Sequence, residues 1–187
     1  IVPCGTTGES PTLEHEEHKK VVQTVIDAAN GKTKVIAGAG SNSTKHAVEL
    51  TKLAADLGAD ATLHVSPYYN KPTQEGLFRH FSEIAKAADI PVVVYNIKGR
   101  TAINIETATL ARLAKEHSNI AAVKEASGDI NQMQDVLNTL PKEFDVLSGD
   151  DKMTFPLMKI GGKGVISVAS NIIPAEVREL TEYALKG

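Results

Sequence analysis

The stretch AAVKEASGD, Ala121 to Asp129, sets a charged pair at the end of an apolar run. Ala121, Ala122 and Val123 read as a short strand, and Lys124 falls inside it before any turn residue appears. The same arrangement recurs along the chain. Strands are expected at Ile1–Gly5, Lys34–Gly38, Ala61–Ser66, Pro91–Asn96, Ile120–Glu125, Phe144–Ser148 and Gly164–Ala169. Amphipathic stretches with helical spacing lie between them, at Leu13–Ala29, Thr44–Leu57, Gln74–Ala87 and Ile105–His117. Strands alternating with helices, and apolar enough to be covered on both faces, imply a parallel α/β sheet. Gly5-Thr6-Thr7-Gly8-Glu9, Pro67-Tyr68-Tyr69-Asn70, Tyr95-Asn96, Lys124-Glu125 and Gly149-Asp150-Asp151 all end a strand or follow one. A doubly wound sheet would gather polar residues at one or two switch points. Polar ends on nearly every strand are the pattern of a (β/α)8 barrel, whose βα loops build the active site on one rim.

The strand count falls short of that expectation. Seven strands in 187 residues compare with eight strands and typically ~250 residues for a closed barrel. The expectation is therefore one barrel domain over residues 1–187, with its first strand lying before Ile1. A net charge of -3 offers no electrostatic case for nucleic acid or an anionic membrane surface. No apolar run approaches the ~18 residues of a membrane span. Cys4 is the only cysteine, which excludes an intrachain disulfide and fits a reducing cytoplasm.

Several motifs have simpler accounts than chemistry. His15-Glu16-Glu17-His18 spaces its histidines three apart, whereas the zinc-protease pattern needs four, so a charged helix start is expected. Gly38-Ala39-Gly40 lacks the third glycine of a dinucleotide loop, because Ser43 stands there; Ser41 or Ser43 capping the next helix explains it. Gly161-Gly162-Lys163-Gly164 leads into a strand and cannot cradle phosphate at a helix start. Asp150 and Asp151 read as N-caps before Met153–Ile160. No metal or cofactor signal survives.

Lys124 is different. Strand alternation places Ala122, Lys124 and Ala126 on one face and Ala121, Val123 and Glu125 on the other. One reading is a buried lysine paired with a carboxylate, or one snorkelling to the strand end. The other is a Schiff-base nucleophile. An ordinary lysine has pKa ~10.4 and is neutral about once in a thousand molecules near neutral pH. Burial lowers that pKa, and a value near ~7–8 makes a competent nucleophile toward a ketone. Tyr95, Tyr69, Thr6 and Thr7 supply hydroxyls at neighbouring strand ends. Backbone N–H groups around Thr6 and Thr7 could approach one carboxylate, and Arg100 could grip a second. The set suits chemistry on small keto acids.

These runs, with Gly99-Arg100-Thr101, Val123-Lys124-Glu125-Ala126-Ser127, Ser148-Gly149-Asp150-Asp151 and Gly164-Val165-Ile166-Ser167, resemble the dihydrodipicolinate synthase family. That family lies within the N-acetylneuraminate lyase superfamily of Schiff-base aldolases. The resemblance implies a (β/α)8 barrel, with Ile1 near the second strand, Gly164–Ala169 as the eighth and a C-terminal helical segment absent. It implies condensation of pyruvate with aspartate semialdehyde in lysine and diaminopimelate biosynthesis, with no cofactor and no metal. Lys124 would form the imine, Tyr95 would exchange protons beside it, and Thr6 and Tyr69 would complete a relay. Tyr69 would reach across a tight dimer interface, implying a homotetramer of such dimers. Thr7 would hold the pyruvate carboxylate, Gly149 and Ile166 would line its pocket, and Arg100 would receive the semialdehyde carboxylate.

Related aldolases for N-acetylneuraminate or ketodeoxygluconate share the lysine and tyrosine; Thr6-Thr7 and Gly99-Arg100-Thr101 favour the synthase. A truncated barrel that only binds pyruvate or joins longer subunits is a further alternative. Lys98 departs from the proline more usual before Gly99. A lysine effector pocket would fall at Ser10, His15, His18, Asn42 and Tyr68. His46 stands there in place of a carboxylate, which argues against strong inhibition.

Overall fold

The computed structural model describes residues 1–186. Six strands, β1 (Ile36–Gly38), β2 (Ala61–Val65), β3 (Val92–Asn96), β4 (Ile120–Glu125), β5 (Asp145–Ser148) and β6 (Gly164–Val165), form one sheet. Every pairing is parallel and the spatial order equals the chain order. Sequential order has no switch point, so the doubly wound alternative is excluded. The sheet is a part-barrel. All six strands deliver their C-terminal ends to one rim.

Helices α1 (His15–Ala29), α2 (Thr44–Asp56), α3 (Gln74–Ala87), α4 (Lys98–Thr101), α5 (Thr107–Glu116), α6 (Ile130–Thr139), α7 (Thr154–Lys159) and α8 (Pro174–Lys186) precede, connect or follow the strands. Ser43 caps α2 by accepting from the His46 N–H, and Thr73 caps α3 by accepting from the Gly76 N–H. On α3, Leu77, Phe81 and Ile84 recur at helical spacing, and all are fully buried. They join Val92, Val94, Ile120, Val123 and Val146 from the outward strand faces in the main core. Leu63, Val93, Tyr95 and Ala122 form a separate cluster on the inner face. No helix among the described residues is long and apolar enough to cross a membrane.

Two expected strands are corrected. Ile1–Gly5 is not a strand, although Ile36 and Gly38 donate to the carbonyls of Ile1 and Pro3 at 2.9 Å each. Pro3 has no N–H to return the bond, and the Gly38 carbonyl instead meets His18 Nε2 at 2.8 Å. The closeness of that segment also explains Gly38, since a Cβ there would collide with the Cys4 carbonyl oxygen. The last strand stops at Val165 rather than Ala169. Beyond Ile166, whose N–H still donates to Ser148 at 2.9 Å, the Val168 and Ala169 N–H groups turn to Asp151 Oδ2 at 3.2 and 3.0 Å. The N-cap reading therefore holds for Asp150, which accepts from the Lys152 N–H. Asp151 does other work. His15–His18 is a helix start as expected, with Glu17 accepting from the Glu14 N–H at 2.9 Å, but His18 is buried.

A buried histidine pair carries a pH dependence. His64 on β2 is fully buried and meets Thr51 Oγ1 at 3.4 Å; Thr51 itself donates to Ala47, so it accepts from the ring. His80 on α3 meets Thr44 at 2.8 Å. Burial, with mutual repulsion, drives His64 down to about 3, and burial drives His80 to about 4. Both are neutral in the fold and protonate on unfolding below their ordinary value of 6.5. Their stabilisation is full above that value and is lost as pH falls toward the folded values. From pH 7.5 to 5, His64 alone removes about 2 kcal/mol. Urea unfolding at the two pH values is therefore expected to show a drop about 2 kcal/mol smaller in His64→Leu than in the parent. Equal drops would mean that His64 does not titrate this way.

Candidate active site

Lys124 on β4 pairs in register with Tyr95 on β3 and with Leu147 on β5. Paired residues share a face, so Lys124 and Tyr95 both point into the inner cluster, among Leu63, Val93, Ala122 and Ile166. The Lys124 Nζ stands 4.0 Å from the Tyr95 ring centroid, a cation–π geometry. Burial lowers the Lys124 pKa from 10.5 to about 8, against the pull of Asp151. Burial likewise raises the Tyr95 phenol, while the Arg100 charge draws it back. Of the accounts expected for Lys124, the direct carboxylate pair fails: no ion pair holds its amine among the described residues.

Gly149 makes room for this amine. A Cβ there would lie 2.8 Å from Ala126 Cβ and 2.9 Å from Lys124 Cε. Asp151, in the same loop, faces the site from β5. Partial burial pushes its carboxyl up, but bonds from Ser167, Ala169 and Val168 and the Lys124 charge hold it below the usual range. A carboxylate within electrostatic reach of the lysine went unassigned in the sequence, where adjacent Asp150 made a cap the simpler account. Its signal was the second acidic residue, one more than a cap requires.

The other expected residues sit on the same rim at varied depth. Thr6 and Thr7 lie exposed in the tight turn Thr6–Gly8. Ile166 packs against the inner cluster to which Tyr95 belongs. Arg100 is exposed on α4, and no carboxylate pairs with it among the described residues. Tyr69 is 93% exposed with φ +72°. No hydrogen bond joins Thr6, Tyr69 and Tyr95 among the described residues, so the structure brings together Lys124, Tyr95, Gly149 and Ile166 but not the relay.

A separate cleft is lined by Ser10, His15, His18, His46 and Tyr68, the effector residues expected from the sequence without Asn42. Asn42 lies beside it, donating to the Tyr68 carbonyl at 3.4 Å. His18 is held below its ordinary pKa by burial, against the Gly38 bond and with help from His15 and His46.

Comparison with known proteins agrees with this geometry. A profile of the dihydrodipicolinate synthetase family matches residues 1–187. The 4-hydroxy-tetrahydrodipicolinate synthases of Methanocaldococcus jannaschii and Syntrophobacter fumaroxidans are 54% and 56% identical over the whole chain. The chain spans 64% of the length of each. Among solved structures, dihydrodipicolinate synthase from Aquifex aeolicus superposes with TM-score 0.99 at 51% identity, covering 100% of this chain and 64% of that one. A lysine-bound synthase from Cyanidioschyzon merolae gives 0.96 at 48% identity, covering 99% and 63%. With the family profile matched from end to end, the chain belongs to the dihydrodipicolinate synthetase family.

Proposed function

We propose that the site condenses pyruvate with L-aspartate 4-semialdehyde through a Schiff base on Lys124, giving 4-hydroxy-tetrahydrodipicolinate. The observation that carries this reading is the Lys124 amine, brought to about 8 and set against Tyr95 in an apolar inner face. At pH 7.5 such an amine is neutral in about a quarter of molecules, against about one in a thousand for a solvated lysine. The free amine adds to the pyruvate ketone, and loss of water gives the imine. Loss of a methyl proton makes an enamine, which attacks the aldehyde carbon. The semialdehyde's own amine then displaces Lys124 from the imine carbon. Every step is a bond exchange or proton transfer, with no change of overall oxidation state.

In this reading Tyr95 moves protons at the carbinolamine, and Thr6 and Tyr69 extend the relay. Thr7, Gly149 and Ile166 hold pyruvate, and the unpaired Arg100 accepts the second carboxylate bidentately. The exposure of Tyr69 supports a neighbouring subunit as its partner, in a homotetramer built from tight dimers. The six strands would contribute to a closed (β/α)8 barrel in the cytoplasm. The histidine-lined cleft offers no carboxylate to an incoming ammonium, so lysine at millimolar concentration is expected to leave the rate unchanged; clear inhibition would reverse that assignment.

Borohydride reduction in the presence of pyruvate is expected to fix a three-carbon adduct on Lys124, and Lys124→Arg to abolish it. Absence of adduct in the folded parent protein sinks the imine role. The rate of adduct formation should climb about tenfold per pH unit and level off above about 8; an inflection near the solvated lysine value would mean that burial does not tune the amine. Gly149→Ala forces the amine off its position and should slow adduct formation about tenfold to a hundredfold, with an overpacking cost of about 1–3 kcal/mol because the new Cβ also meets Ala126 Cβ. Turnover of N-acetylneuraminate or ketodeoxygluconate in place of the semialdehyde would move the assignment to the related aldolases.

A further inference from the structure

The next residue along each catalytic strand faces the other way. Asn96 pairs in register with Glu125 as Tyr95 does with Lys124, and both are fully buried beneath the helices. Glu125 accepts from Asn96 Nδ2 at 3.3 and 3.1 Å, from the Ser127 N–H at 2.7 Å and from Gln132 Nε2 at 3.4 Å. All these partners are donors. No cation pairs with this carboxylate among the described residues. Burial pushes its pKa up, while the bonds from Asn96, Ser127 and Gln132 oppose that shift. A buried carboxylate without a counter-ion is costly. Its surroundings must therefore be arranged around it.

Those surroundings reach one segment, residues 97–105. Asn96 Oδ1 accepts from the Ile105 N–H at 3.1 Å, and Asn96 Nδ2 donates to Asn104 Oδ1 at 2.9 Å. Gln132 on α6 donates to the Ile105 carbonyl at 3.1 Å and accepts from Asn104 Nδ2 at 2.7 Å. The segment leaves the sheet after Asn96 and is tied back at Asn104 and Ile105 to the side chains of Asn96 and Gln132, so both ends rest on partners of Glu125. Between them, Thr101 Oγ1 contacts the carbonyls of Ile97 and Ile103 at 2.9 and 3.1 Å, which stiffens the arch. Arg100 is carried in the middle of it, on α4.

We infer that Glu125 is a positioning residue, whose network holds the Arg100 arch at a set place relative to Lys124 and so governs the grip on the second, carboxylate-bearing substrate. The inference rests on the function proposed above. Glu125→Gln keeps the shape but turns an amide donor toward a ring of donors, so it should loosen the arch and leave the lumen face in place. The KM for aspartate semialdehyde is expected to rise about tenfold, while the borohydride-trapped pyruvate adduct forms within about twofold of the parent rate. In an Arg100→Ala background the same change should add nothing further to the semialdehyde KM, because its effect runs through Arg100.

Hydrogen exchange gives a readout independent of turnover: amides of residues 97–105 should exchange about tenfold faster in Glu125→Gln, with β4 unchanged. Should that variant fail to fold, Gln132→Ala cuts the α6 link and should show the same pattern more weakly. Equal losses for both substrates, additivity with Arg100→Ala, or exchange raised uniformly overturns the positioning role. A parent protein that traps pyruvate but does not turn over the semialdehyde overturns the functional reading instead, and the exchange experiment still decides the arch.

Discussion

The site depends on the burial of one amine. Water stabilises an ammonium far better than Leu63, Val93 and Ala122 can, so moving Lys124 into the inner face weakens its hold on the proton. Two features limit that weakening. The face of the Tyr95 ring attracts the cation at 4.0 Å, and Asp151 pulls the pKa upward from the next loop. The balance leaves Lys124 at about 8, where both protonation states are populated near neutrality. A closer carboxylate would have kept the lysine charged. A drier pocket would have left it neutral but less basic.

Much of this was legible in the residues because periodicity reports which face is buried. α3 was read at its observed limits, and β3 and β4 to within a residue, since their apolar patterns are strong and their ends carry Asn96 and Glu125. The misread ends share one cause: hydrogen-bond donors diverted to, or missing for, partners that no local pattern reveals. Pro3 withholds a donor from β1, and Val168 and Ala169 give theirs to Asp151 seventeen and eighteen residues upstream. Asn104 and Gln132 were silent for the same reason, as amides of ordinary appearance whose meaning is tertiary.

Lys124 reaches the lumen only because of an irregularity before it. The β3–β4 register runs from Val92↔Ile120 to Val93↔Ala122, passing over Ala121. That is a bulge of one residue, and a one-residue slip exchanges the two faces of a strand. Had Ala121 taken its place in the ladder, Tyr95 would stand beside Val123, and Lys124 beside Asn96 under the helices. There it would meet the partners that now hold Glu125, while the carboxylate moved to the lumen. The bulge therefore decides which of two adjacent charges faces the inner cluster and which lies beneath the helices. It also explains why both sit at one level of the sheet: a single register shift sets the amine against Tyr95 and the carboxylate against Asn96. The amine on one face and the buried polar network on the other are thus located by the same strand pairing.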